Sequence, residues 1–325
     1  MDWSQKIDQL TVGYRDSLIL LSACHTGVFD ALDDSWRGVS ELASDLELDE
    51  RALDLVLHAL AAMGILQQNG DQFATQPGAR PFLLSDSPDT HASIMGHNLT
   101  MSRKWVQLEE VLQSGEPAPG PARTERQERD FICGMENVSR QSSLEVVGKV
   151  NLGGARRLLD LGGGPGTAAI TFAKARLDLH CVVYDLPGPV VIAEEQIAAA
   201  GLGDRIETRS GDFLVDELGE NFDIVYISNI IHMLGLDDTA HLFHKAFQAL
   251  SPGGRVMVKD FFLEDCRSRP AAGAQFSINM LVATTAGKSY TRSETMALLA
   301  GAGFSECEVI DVAKHSQVLI ARRAN

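Results

Sequence analysis

Along residues 1–110 apolar positions recur every three or four residues, most regularly in Leu18–Phe29, Val39–Leu46 and Ala52–Leu66, the spacing that gathers them on one helical face. From about residue 156 the period changes. Short β-rich runs (RRLLDL, HCVVYDL, RIETRSGD, FDIVYIS, GRVMVKDFF, ECEVIDV and QVLIAR) alternate with helical stretches. That alternation predicts an α/β domain on a doubly wound, mostly parallel sheet. The chain therefore divides into a mostly helical domain over 1–110, a linker and helix over 111–150 that contributes to the active site, and a Rossmann-like catalytic domain over 151–325.

Within the first domain GVSELASDLELDERALDLVLHALAAMGIL reads as helix, turn, helix, and QQNGDQFATQ as a hairpin turning at Asn69-Gly70. This is a winged-helix pattern. Its recognition helix would be Asp49–Met63, where Arg51 is the only Lys or Arg, so the segment lacks the basic face that DNA binding needs. An apolar helical face without basic residues is better explained by burial against another subunit or domain, and the region is expected to form a homodimer. The stretch Gly115–Arg129, with three prolines, two glycines and clustered charges, is expected to be a surface loop.

Charge narrows the choice of partners. Acids outnumber bases by 44 to 28, and the net charge of −16 repels phosphate backbones and anionic lipid, so neither nucleic acid nor membrane is expected as a partner. The opening MDWSQKIDQL has no cationic segment ahead of an apolar core, and the run Leu18–Cys24 is too short to span a bilayer, which points to the cytoplasm. Five scattered cysteines (Cys24, Cys133, Cys181, Cys266, Cys307) without CxxC spacing suggest neither disulfides nor zinc, and are expected to be reduced and mostly buried. His241 and His244 lie three apart on a helical stretch without further ligands nearby and read as surface residues; no metal is expected.

The candidate chemistry begins where strand Leu158–Leu161 runs into GGGPGT and then a helix. Gly162, Gly164 and Gly166 fit GxGxG; Thr167 stands where a dinucleotide fingerprint would need a sixth-position glycine, which disfavours NAD. Asp185, 19 residues beyond Gly166 at the end of the next strand, can accept hydrogen bonds from both hydroxyls of a ribose. Ser210-Gly211-Asp212-Phe213 follows the third strand and offers a carboxylate and a ring to an adenine, although Asp212 alone also suits a turn or cap. Three strand ends converging on one crevice favour S-adenosylmethionine (SAM).

With LLDLGGGPGT, VVYDLPGPV, GDF, SNIIHML, LSPGGRVMVKD and NMLVATTAGKSYTRSETMALLAGAGF, the chain resembles, over nearly its full length, the plant-type small-molecule O-methyltransferases and their bacterial relatives. The resemblance implies a class I methyltransferase domain behind a winged-helix dimerisation domain. It also implies that Gly162, Gly164, Gly166, Asp185, Leu186, Gly211, Asp212 and Phe213 contact SAM, and that Phe131, Met135 and Ser139 of FICGMENVS add to them. Where many members have an adenine-contacting Lys four residues before the base, this chain has Ser228.

Methyl transfer from a sulfonium is an in-line displacement, so the enzyme aligns nucleophile, methyl and sulfur while a base takes the substrate proton. His232, just beyond FDIVYIS, stands where the family places that base, although Met233-Leu234 replaces the usual Asp-Trp. The resemblance implies a carboxylate at the end of the fifth strand that orients the imidazole, a role Asp260 can fill. The second orienting carboxylate of the family is replaced by Ser289 in Gly287-Lys288-Ser289-Tyr290-Thr291. Trp105, Asn279 and Met280 are candidate substrate contacts. The expected function is O-methylation of an aromatic or polyketide-like hydroxyl of a small molecule. Its rivals are C- or N-methylation, a SAM-dependent hydroxylation or decarboxylation, and a winged-helix regulator with a degenerate small-molecule domain.

Overall fold

The computed structural model describes residues 2–312 and 316–324. The chain forms two compact units that do not follow chain order: Met1–Arg103 with Ala122–Asn137, and Lys104–Pro121 with Val138–Asn325. The first boundary thus falls seven residues before the 110 suggested by the sequence (110 − 103), inside a helix.

The first unit holds α1 (Trp3–Val12), α2 (Tyr14–His25), α3 (Val28–Leu32), β1 (Arg37–Gly38), α4 (Val39–Leu46), α5 (Glu50–Ala62), β2 (Leu66–Asn69), β3 (Gln72–Thr75), α6 (Arg80–Leu83) and most of α7 (Ala92–Trp105). The expected helix, turn, helix and hairpin are present. The hairpin pairs Asn69 with Gln72, and β1, too short to read from the sequence, adds a third strand beside β3. Asp49 caps α5, accepting the Ala52 N–H at 2.8 Å.

Leu53, Leu57 and Leu60 of α5 turn inward onto Leu42, Phe29 and Phe73. The apolar face expected to cover another subunit is therefore the core of its own unit. The exposed apolar stripe lies instead on Trp3, Ile7, Leu10 and Tyr14, and α1 buries none of its residues.

Before the expected surface loop the chain forms α8 (Leu108–Ser114), in the second unit, and from within it α9 (Glu125–Lys149), which starts in the first unit and ends in the second. The loop is shorter than expected. Thr124 and Gln127 make a reciprocal capping pair, Gln127 N–H to Thr124 Oγ1 at 3.2 Å and Thr124 N–H to Gln127 Oε1 at 3.0 Å, which starts α9 inside the charged stretch.

The second unit continues through β4 (Arg157–Leu161), α10 (Thr167–Ala175), β5 (His180–Asp185), α11 (Pro187–Ala199), β6 (Ile206–Ser210), β7 (Phe222–Ser228), α12 (Leu236–Ala249), β8 (Leu250–Asp260), α13 (Ala271–Ala283), α14 (Arg292–Gly301), β9 (Phe304–Asp311) and β10 (Gln317–Arg323). The sheet order is β6-β5-β4-β7-β8-β10-β9, with β10 antiparallel to both neighbours and the other pairs parallel. Both faces of this sheet carry apolar cores, one around Ile227, Val258 and Phe243 and the other around Phe172, Tyr226 and Met257. The chain runs outward from β4 through β5 to β6 and then returns to place β7 on β4's other side, so β4 and β7 form the switch point where open α/β sheets bind ligands.

The cysteines correct an expectation. Only Cys181 is buried; Cys266 and Cys307 are exposed, on the segment after β8 and on the edge strand β9. Among the described residues no helix is long and apolar enough to cross a membrane.

Candidate active site

The turn after β4 is shaped by what surrounds its glycines. Gly162 has φ +70, and a Cβ there would run into Ile230. Gly164 has φ +53 with no atom within 4 Å of the Cβ position, leaving an open backbone to which a ligand can come close. Beneath the turn Asp160 is 1% exposed and accepts the Ala169 N–H of α10 at 3.0 Å. Burial pushes its carboxyl up to about 7, the Ala169 N–H opposing and the Asp185 charge adding to the effect.

Asp185 closes the next strand and reaches back to this turn: Oδ2 accepts the Gly164 N–H and Oδ1 the Leu186 N–H, both at 2.7 Å. Burial holds its carboxyl above the ordinary carboxylate value, while those two N–H groups pull it down. Each oxygen keeps a lone pair for a ligand hydroxyl. After β6, Phe213 comes within 3.8 Å of the Gly162 Cβ position, and Tyr184's hydroxyl fills the space a side chain on Gly211 would need. Asp212 is exposed and accepts the Leu214 N–H at 2.9 Å, so one of its oxygens does serve the turn. Gly166 caps α10.

On the other side of the switch point a 3₁₀ turn, Ile231–Met233, carries His232. Its Nδ1 lies 2.8 Å from Asp260 Oδ1, and both side chains are buried, at 8% and 4% exposure. That partner fixes the proton on Nδ1 and leaves Nε2 as the acceptor. Asp260 Oδ1 also accepts the Phe261 N–H at 2.8 Å, which fixes the carboxylate, while its buried Oδ2 has no partner among the described residues. Phe276 of α13 meets the imidazole edge to face, with ring centres 4.8 Å apart.

Ser289 is buried, but its hydroxyl donates to the Gly273 carbonyl at 2.9 Å and its N–H to Ser277 Oγ at 3.1 Å, which commits it to bracing α13. Trp105 and Asn279 are brought together: the indole N–H donates to Asn279 Oδ1 at 2.9 Å, one helical turn from Phe276. Met280 is buried, and its carbonyl accepts the Thr284 N–H that ends α13.

Ser228 ends β7, and Leu186 is exposed at the start of α11. Phe131 and Met135 belong to the first unit, where Phe131 stacks at 5.2 Å on His97 and under the Arg123 guanidinium at 4.2 Å; Ser139, further along α9, belongs to the second. His241 and His244 are exposed on α12, and among the described residues no three His, Cys, Asp or Glu side chains are grouped to hold a metal ion.

Sequence reasoning passed over Lys259, Asn229 and Tyr290. Lys259 is 1% exposed, and burial pushes its ammonium down to about 8 while the Asp260 charge opposes the shift. The available signal was a lysine inside VMVKD, a run the fold buries on both faces.

The residues gathered at β4, β5 and β6 suit SAM: an open glycine backbone at Gly164, the Asp185 and Asp212 carboxylates at two strand ends as acceptors for ribose hydroxyls and an adenine amino group, and an aromatic ring against the turn. Comparison with known proteins agrees. A family model described as the O-methyltransferase domain matches residues 120–305, and one described as the O-methyltransferase dimerisation domain matches 8–85. The 3-hydroxy-5-methyl-1-naphthoate 3-O-methyltransferase of Streptomyces sahachiroi is 30% identical over 94% of this chain and 90% of its own length. The tetracenomycin polyketide synthesis 8-O-methyltransferase TcmO of Streptomyces glaucescens is 28% identical over 97% of this chain and 95% of its own. Among solved structures, an O-methyltransferase family protein from Burkholderia thailandensis superposes with a TM-score of 0.88 at 26% identity, covering 100% of this chain and 99% of that one.

Proposed function

This chain belongs to the O-methyltransferase family, and from that premise we propose that it transfers the methyl group of SAM to a hydroxyl of an aromatic or polyketide-like small molecule, with His232 as the base. The observation that carries the reading is the buried His232–Asp260 pair at the carboxyl ends of β7 and β8, beside the strand that ends in the glycine turn.

When bound, SAM supplies an electrophilic methyl on a sulfonium. Asp185 would accept its ribose hydroxyls, the backbone from Gly162 to Gly166 would receive the methionine portion, and Phe213 with Asp212 would receive the adenine. Ser228, Leu186 and Gly211 line the same crevice, and Phe131, Met135 and Ser139 of α9 are proposed as further contacts. The acceptor hydroxyl would lie against His232 Nε2, which would take its proton as the oxygen bonds to the methyl carbon and the C–S bond breaks, leaving S-adenosylhomocysteine. Asp260 stabilises the resulting imidazolium. Phe276, Phe261, Trp105, Asn279 and Met280 wall the acceptor; the aromatic rings and Met280 supply apolar surface against water, and Asn279 holds the Trp105 indole. Ser289 contributes by holding α13 in place through Gly273.

The test incubates the protein with SAM and a panel of phenolic aromatics, their O-blocked ethers and matched amines, read by mass spectrometry. A mass gain of one methyl group on the phenol that is absent from its O-blocked ether supports O-methylation. A gain on the blocked ether or on the amine moves the reaction to carbon or nitrogen, and an added oxygen or lost carbon dioxide overturns methyl transfer.

A homodimer is proposed from the dimerisation-domain match and from the exposed apolar stripe of Trp3, Ile7 and Leu10 on α1 with Tyr14 at the start of α2. Sedimentation at micromolar concentration checks it, and a monomer there contradicts it.

A further inference from the structure

The segment carrying His232 runs from Asn229 to Gly235, and buried side chains from two other segments hold its two ends. Asn229 has φ +58, a conformation that residues with a Cβ seldom adopt. Lys259 holds it twice: its carbonyl accepts the Asn229 N–H at 2.9 Å, and its Nζ donates to Asn229 Oδ1 at 3.0 Å. At the far end the Tyr290 hydroxyl donates to the Leu234 carbonyl at 2.9 Å and lies 3.1 Å from Thr239 Oγ1, which itself donates to the Gly235 carbonyl at 2.8 Å. The turn that carries Tyr290 presses on the same loop, since a Cβ on Gly287 would come within 2.5 Å of the His232 carbonyl.

Lys259 and Asp260 are consecutive on β8 and point to opposite faces of the sheet. One fixes where the loop begins and the other fixes the imidazole. Packing alone does not account for a lysine here. A methionine would fill the same space without desolvating a charge, and burial already lowers this ammonium's pKa to about 8. Its Nζ sits over the Phe261 ring at 5.2 Å and on Asn229, so the charge is directed at the segment between the two strands.

We propose that Lys259 and Tyr290 are positioning residues for methyl transfer, fixing the two ends of the 229–235 loop so that His232 Nε2 faces the acceptor hydroxyl. The inference rests on the reading of His232 as the base. The two residues touch the loop and not the crevice groups at β4 and β5, so their loss falls on turnover more than on cofactor binding.

The test uses the full chain with Lys259→Met and Tyr290→Phe, beside His232→Ala, and measures kcat, the acceptor KM and the SAM dissociation constant. Lys259→Met lowers kcat about 10–100-fold and Tyr290→Phe by a smaller factor, since a small misplacement of a reacting group carries penalties of this order. The acceptor KM and SAM affinity stay within about threefold in both. Adding Asn229→Gly to Lys259→Met recovers most of the loss, because glycine takes the left-handed conformation without being held. Should Lys259→Met not fold, Tyr290→Phe, which removes a single oxygen, carries the test.

Unchanged kcat in the folded variants, or parallel losses in kcat and SAM affinity, overturns the proposal. If His232→Ala is inactive while both variants keep wild-type kcat, only the positioning fails. If His232→Ala keeps its activity, the base reading fails and this inference with it.

Discussion

The turn after β4 and the loop after β7 leave adjacent strands of one sheet edge, yet they are built by different means. At β4 the positioning is done by the backbone. Glycines take left-handed φ, α10 starts directly behind them, and Asp185 straps the turn through the Gly164 N–H. At β7 it is done by side chains from distant segments: Asp260 and Lys259 from β8, Tyr290 from the turn before α14, and Phe276 from α13. The first arrangement suits a ligand common to a whole family. The second suits a catalytic group whose surroundings differ between members, as the Met233-Leu234 segment does here. A site built by backbone can be read from a short motif, and one built by long-range pairs cannot.

If the two halves are separable, variants in one leave the other's property alone. Asp185→Ala removes the proposed acceptor for the ribose hydroxyls and the partner of the Gly164 N–H. The SAM dissociation constant therefore rises roughly 10–100-fold in a calorimetric titration. The single-turnover rate at saturating SAM stays within about threefold of wild type, and a large loss there would mean the halves are coupled.

A smaller effect lies under the glycine turn. Asp160's carboxyl is raised from its ordinary 3.8 to about 7 by burial, so the folded state favours its neutral form. The stability this contributes is complete below about pH 4 and is lost as pH rises toward 7. Asp160→Asn, which cannot ionise, should melt higher than wild type by a few degrees near pH 8, with the gap closing toward pH 5 in calorimetric scans of the ligand-free protein. A gap independent of pH would show that Asp160 is not the group titrating there.

Much of the fold was legible because period and caps are local. FDIVYIS is β7 residue for residue, and the hairpin turns one residue beyond the expected Asn69-Gly70, with Gly70-Asp71 between the paired Asn69 and Gln72. β8 starts at Leu250, before the expected run, with a register shift between Phe222 and Ile224 where Ser251-Pro252-Gly253 enter the strand. The start of α9 was present in the sequence as Thr124 and Gln127 but was hidden by the prolines before it.

In the candidate site, Gly162, Asp185 and Phe213 were named from their positions at strand ends, and His232 and Asp260 from the family resemblance at two further strand ends; the topology brings these strand ends to one side of the sheet. Lys259, Asn229 and Tyr290 were not. Their partners are 30 and 56 residues away in sequence, and a positive φ at Asn229 leaves no mark in composition. Ser289 shows the converse: its position in a motif suggested a partner for the imidazole, and folding directs its hydroxyl to Gly273.

The central claim is that the histidine after β7 takes the acceptor's proton while the β4–β5 edge holds the methyl donor. Its most direct test loads wild type and His232→Ala with saturating SAM and follows one turnover on a phenolic acceptor, with SAM affinity measured on the same samples. The account requires a rate about 10²–10⁴-fold lower in the variant with an unchanged SAM dissociation constant. Equal rates would remove His232 from the chemistry and contradict it.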